Sequence, residues 1–262
     1  RDWSSDVCSS DLIGIDAYVA PGSRFEKQAH GIKEASFRLV LLARNEQGYK
    51  NLMKLTSIGY LEGFYYRPRL DKETLKKYSE GLIALSGDLR GEIPYYIRND
   101  QPAEVRRAVQ EYLEIFDRKD FYLELMDQGL EPQKKVNAEC LKLAKEFGVG
   151  VVATNNVHYI FRQNARAHDA LICIGTGSTI EEANRLRFQG TEYYLKTAEE
   201  MKDLFKNCPE AIRATVEIAE RCNLELDFKK THLPHMEPPK GKTQVGYMEE
   251  LCFQGLKQRL PD

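Results

Sequence analysis

The chain has 262 residues, with 38 Lys and Arg against 40 Asp and Glu, a formal net charge of −2 and 42% hydrophobic residues. That length suits one large domain, or one domain and the start of a second, and the composition excludes a disordered or fibrous chain. There is no net basic field to draw the chain onto nucleic acid, and uncharged stretches such as Val149–Ala153 and Ala170–Ile174 are far too short to cross a bilayer, so no membrane partner is expected.

Residues 1–12 contain the only Trp and two Ser-Ser pairs, without the basic start and apolar centre of a signal peptide. They look like the translation of a sequencing-library adapter. The expectation is a non-native, unpacked tail that includes Trp3, with the native chain starting near Ile13 and the whole being a fragment. From Ile13 onward, apolar runs alternate with amphipathic segments. Ile13–Ala20 reads as a strand closed by Pro21-Gly22-Ser23, and Phe37–Ala43 as a strand broken only by Arg38. Asn45 is placed to cap a helix with Tyr49, Leu52, Met53 and Leu55 on one face. A short helix after Asp71 leads to the strand Gly81–Ser86.

A helix starts at Pro102 and runs to about Phe116, followed by the strand Phe121–Met126. Pro132–Phe147 is a helix that Gly148 can end in the left-handed conformation, and Val149–Thr154 is a buried strand. Helices follow at about Asn164–Cys173, Thr197–Lys206 and Pro209–Cys222. The second carries the capping box Thr197 and Glu200, and the third has Pro209 in its first turn and Asn223 past its end. Gly175-Thr176-Gly177-Ser178 lacks the Gly-Lys-Ser/Thr ending of a phosphate loop and reads as a helix stop. Strands separated by helices predict parallel pairing through right-handed crossovers, in a barrel or an open sheet. Lys229–Thr243, with three prolines and four lysines, reads as a linker and hinge. A helix over Gly246–Leu260 follows, whose apolar face (Met248, Leu251, Cys252, Leu256) is expected to lack a partner.

The six cysteines are scattered without a CxxC pair, which predicts reduced thiols in a cytosolic protein, buried at every position after Cys8. Chemistry in parallel α/β proteins gathers at the carboxyl ends of strands, which singles out Asp16, the Arg38 region, Asp88, and Asn155-Asn156-Val157-His158. Asn156 and His158, two apart on an extended backbone, share a face. They could help hold a metal or simply form a hydrogen-bonded strand end, and spacing alone favours the second. Asp88 reads as a turn or capping aspartate. Asp16, inside a strand, needs a partner or a function. His30 reads as solvated, His168 as a core-edge residue, and His232 and His235 as linker residues without metal.

The blocks GIDAYVAPGSR (Gly14–Arg24), LVLLARNEQGYKNLMKL (Leu39–Leu55), EGLIALSGDLRGEIP (Glu80–Pro94), VVATNNVHYI (Val151–Ile160), AHDALICIGTG (Ala167–Gly177) and PEAIRATVEIAERCN (Pro209–Asn223) occur in this order. Together they resemble the N-terminal PHP (polymerase and histidinol phosphatase) domain of bacterial replicative DNA polymerase III alpha subunits. The resemblance implies an α/β fold, a distorted parallel β/α barrel of PHP type. Here it would lack its first strands and be followed by a linker and the first helix of the next domain. The expected division is a non-native tail at 1–12, the PHP domain at 13–228, and linker plus polymerase start at 229–262.

In metal-binding members of that family, His, Asp, Glu and Cys side chains at the strand ends hold metal ions, and some members hydrolyse phosphodiester bonds there. By the resemblance, a His-x-His pair and an Asp-His pair would lie upstream of Ile13. Asp16 stands where those members have Glu, Arg38 where they have His, Asp88 at a Cys-type ligand position, and Asn156 where they have Asp, while His158 is kept. A guanidinium cannot ligate a cation and repels one. Asp16, Asp88 and His158 are therefore expected to be remnant metal positions converging on one rim, with Arg38 paired to Asp16 or Asp88 and no catalytic residue in this segment. No cofactor is expected here, Mg belongs to the parent polymerase, and Zn or Mn would be present only at an active PHP site. Expected partners are the rest of the alpha subunit, the proofreading exonuclease subunit, and DNA through the parent, in the cytoplasm. The competing readings are an active metal-dependent 3′–5′ exonuclease or phosphoesterase, and a stand-alone PHP phosphatase. The last is disfavoured because the chain runs through a linker into a new helix.

Overall fold

The computed structural model describes residues 12–28, 31–226 and 236–260. The tail with Trp3 and Cys8, His30, and the first part of the linker with His232 and His235 lie outside the described residues. The described chain divides into two units, with the boundary between Glu225 and Leu226.

The first unit holds a seven-stranded sheet. Its strands are β1 Gly14–Val19, β2 Phe37–Ala43, β3 Phe64–Tyr65, β4 Arg67–Leu70, β5 Leu82–Leu85, β6 Phe121–Leu125 and β7 Gly150–Ala153, in the order β3-β4-β1-β2-β5-β6-β7. Parallel pairing, as the alternation predicts, joins β1 to β4 and runs through β5, β6 and β7. β2 differs: it runs antiparallel to both β1 and β5. The reason lies in the connection after β1, which holds only a short 3-10 turn at Lys33–Ala35. An antiparallel neighbour needs no crossover helix, whereas a parallel one does.

The helices follow local signals. α1 (Glu46–Leu61) is capped by Asn45, whose side chain accepts from the Gly48 amide at 3.0 Å. Its buried face is Leu52, Leu55 and Ile58 with Asn51, while Met53, expected on that face, is exposed. α2 (Lys72–Lys77) is capped by Asp71 through Thr74. α3 (Glu92–Arg98) has no counterpart in the sequence reading, because its seven residues are too few to show a helical period. α4 (Pro102–Leu113), α5 (Glu131–Phe147), α6 (Ala165–Thr176), α7 (Ala198–Leu204) and α8 (Pro209–Arg221) lie where periodicity places them. Gly148 ends α5 at φ 65°, Gly177 ends α6 at φ 67°, and the Thr197–Glu200 capping box opens α7.

β5 and β6 are buried throughout, so the sheet is covered on both faces there. On one face Leu82, Ala84, Phe121, Leu123 and Leu125 join the main core, with α4 and α5. On the other, Ile83, Leu85, Tyr122 and Val152 pack against Ala214, Ile218 and Cys222 at and just past α8. Burying each Leu, Ile, Val or Phe among them supplies about 1.5–3 kcal/mol. In the second unit, α9 (Gln244–Arg259) is capped by Thr243 and has no buried residue. Met248, Leu251 and Leu256 are exposed, and so is Cys252, contrary to the expectation of a buried thiol. Cys140, Cys173, Cys208 and Cys222 are buried and free.

Candidate functional site

The antiparallel β2 decides where the candidate residues meet. Its reversed direction brings its amino end, with Arg38, beside the carboxyl ends of β1 and β5. Arg38 therefore reaches the rim from the start of a strand, not from a strand end as the sequence reading has it. Tyr18 faces Arg38 in the register, which puts Asp16 diagonally across on the same sheet face. The Arg38 guanidinium pairs with the Asp16 carboxylate through Nη2 and donates from Nη1 to Asp88 Oδ2 at 3.0 Å. The expected pairing with one carboxylate is thus found with both at once.

Asp88 sits in the loop after β5. Its Oδ1 accepts from the Arg90 amide at 2.8 Å, so it also closes the turn before α3. Gly87, at φ 82°, lets this loop approach β2: a Cβ there would lie 2.6 Å from the Arg38 carbonyl oxygen. Asp16 is not buried, with 42% of its side chain accessible against 17% for Asp88 and 24% for Arg38. Screening keeps so exposed an Arg38–Asp16 pair weak, and the Arg38–Asp88 pair is the better sheltered.

His158 follows β7 on the same side. Its Nε2 lies 3.0 Å from Asn156 Oδ1, the hydrogen-bonded strand end that spacing favoured. The ring packs 4.5 Å from Phe188 and 5.3 Å from His168. Burial holds the imidazole below its ordinary value, and the neighbouring His168, Arg38 and Arg90 charges add to that. It makes no bond to Asp16 or Asp88. Among the described residues no three His, Cys, Asp or Glu side chains gather closely enough to hold a metal ion. Two of the three remnant positions are instead joined to one cation, which is a poor donor set for a metal.

A residue the sequence reading missed stands behind this pair. Glu124, near the end of β6, is 4% exposed. Its Oε1 accepts from the Thr154 hydroxyl at 2.5 Å, and its Oε2 is buried without a hydrogen-bond partner. Burial pushes its carboxyl up to about 7, opposed by the Thr154 bond and reinforced by the Asp88 charge. The available signal was a carboxylate inside the otherwise apolar strand FYLEL, the same signal that picked out Asp16. A sheltered arginine, two carboxylates and a buried carboxyl that titrates near neutrality make a charged rim at the sheet's edge.

Residues 11–128 match the model of the PHP domain family. The mixed α/β fold with its rim of strand ends agrees with a PHP-type architecture. Over nearly its whole length the chain is similar to proteins named DNA polymerase III subunit alpha. It is 45% identical over 250 residues to that of Borreliella burgdorferi, 42% over 258 to that of Thermus aquaticus, and 39% over 258 to that of Treponema pallidum. These matches take in 95%, 96% and 97% of this chain and 22%, 21% and 22% of the relatives, so the chain spans about a fifth of their length. No helix among the described residues is long and apolar enough to cross a membrane.

Proposed function

We propose that this chain is the PHP portion of a bacterial replicative DNA polymerase and serves it as a scaffold and partner-docking domain, without metal-dependent hydrolysis. The observation that carries the reading is Arg38 joined to both Asp16 and Asp88, which fills with a guanidinium the place where a hydrolytic domain would need a cation. The similarity to polymerase alpha subunits over about 95% of the chain supports the assignment of the parent. In this reading the parent carries out DNA-directed DNA synthesis in the cytoplasm, using Mg2+ and contacting DNA through segments other than this one. The proofreading exonuclease subunit is a candidate partner of this domain.

The test is a nuclease assay of the purified chain on 3′-labelled single-stranded DNA with Mn2+ or Zn2+. The expected result is negligible hydrolysis, and Arg38→His restores little, because one imidazole does not supply the remaining ligands. Robust metal-dependent hydrolysis that His158→Ala abolishes would establish the competing exonuclease reading instead.

A further inference from the structure

A cavity of about 230 Å3 lies beyond β7 between α6 and the segment around Phe188. Arg166, Arg187, His168, Tyr159 and Phe188 line it. Among the described residues neither Arg166 nor Arg187 forms an ion pair. The one carboxylate in the lining, Asp169, is already held by both Nη atoms of Arg185, each at 2.6 Å, and the Arg185 side chain is 1% accessible. The Asp169–Arg185 pair cancels locally, and although the Asp169 charge also acts on Arg187, the lining keeps a net positive charge of two from Arg166 and Arg187.

Tyr159, His168 and Phe188 supply the aromatic part of the lining, with Ala165, Ile172 and Gly190 completing it. The Phe188 ring meets the His168 ring edge-on at 5.1 Å, and the Tyr159 ring stands 5.3 Å from His168. The Tyr159 hydroxyl is buried and has no hydrogen-bond partner. A buried polar atom left unpaired calls for an explanation, and a ligand is one.

Arginines without an ion pair and aromatic rings lining one cavity suit a phosphate joined to a planar ring. Guanidinium groups hold phosphate oxygens in a fork of parallel N–H bonds, and aromatic rings stack on nucleobases. The volume is below the roughly 300–1,000 Å3 usual for ligand clefts, which favours one nucleotide over a dinucleotide or a duplex. We propose that this cavity binds a nucleoside monophosphate, with Arg166 and Arg187 on the phosphate and the Phe188 and Tyr159 rings beside the base. The cavity adjoins His158, whose ring touches Phe188 and His168, but Arg38 and its two carboxylates do not line it, and the proposal does not depend on the polymerase reading.

Isothermal titration of the chain with thymidine 5′-monophosphate, thymidine and inorganic phosphate tests the proposal. The monophosphate is expected to bind at least tenfold more tightly than either half alone. The double variant Arg166→Gln/Arg187→Gln is expected to weaken it at least tenfold with an unchanged unfolding midpoint, since both side chains are exposed. Arg107→Gln, which removes an exposed charge on α4, is expected to leave binding unaltered. The assignment is overturned if the monophosphate does not bind, if phosphate alone binds as tightly, or if Arg107→Gln weakens binding as much as the double variant.

Discussion

Replacing Glu124 by Gln should raise the stability of the chain in alkali relative to its stability in acid. The Glu124 carboxyl titrates at about 7 in the folded chain against an ordinary value of 4.5. Below 4.5 the proton is bound in both folded and unfolded states, and ionisation does not bear on stability. Between 4.5 and 7 the unfolded chain releases the proton while the folded chain keeps it, so stability falls as pH rises; above 7 the loss is complete. The two values lie about two and a half powers of ten apart, and each power is worth about 1.4 kcal/mol, so the full loss is about 3 kcal/mol, most of it between pH 5 and pH 8. Gln does not titrate and keeps a carbonyl for the Thr154 hydroxyl, although its NH2 needs an acceptor. That requirement shifts stability equally at every pH. The quantity to read is therefore the change with pH in the stability difference between variant and wild type, from urea unfolding at pH 5, 6, 7 and 8. Other titrating groups cancel in that difference. A difference constant within about 0.5 kcal/mol over the range would refute the reasoning.

Arg38→Gln should leave the two carboxylates without their shared cation and lower stability by about 1–2 kcal/mol, less than a fully buried pair because Asp16 is exposed. Urea unfolding should show most of that loss recovered by Asp88→Asn in the same chain. Arg69 is fully buried and donates to the carbonyls of Gly63, Ala35, Arg24 and Glu26, tying the loop after β1 to β4. Arg69→Met strands those acceptors and should cost roughly 3 kcal/mol or more, whereas Arg106→Gln, at an exposed ion pair, should cost far less by the same assay. Gly148→Ala should cost about 1 kcal/mol in thermal unfolding, because at φ 65° the loss is one of backbone alone: a Cβ there meets nothing within 4 Å.

The elements were legible in the sequence because each is written in local chemistry. Asn45, Thr197 and Gly148 mark helix ends by hydrogen bonds and backbone preference that need no tertiary partner. The apolar runs Phe37–Ala43 and Phe121–Leu125 mark strands by burial on one or both faces. Order along a chain does not determine strand direction, so the reversal of β2 was decided only in the sheet, and with it the route by which Arg38 reaches Asp16 and Asp88. Exposure was also out of reach: Asp16 lies in a strand yet is open to solvent, Met53 faces away from the core, and Cys252 belongs to a helix with no buried residue. The sequence determined which residues carry charge at the strand ends. Only the tertiary structure decided that Arg38 lies between two carboxylates and that Glu124 is buried behind them. A pKa or an ion pair depends on what burial removes and what neighbours supply, and residues as far apart as Asp16, Arg38 and Asp88 become neighbours only on folding.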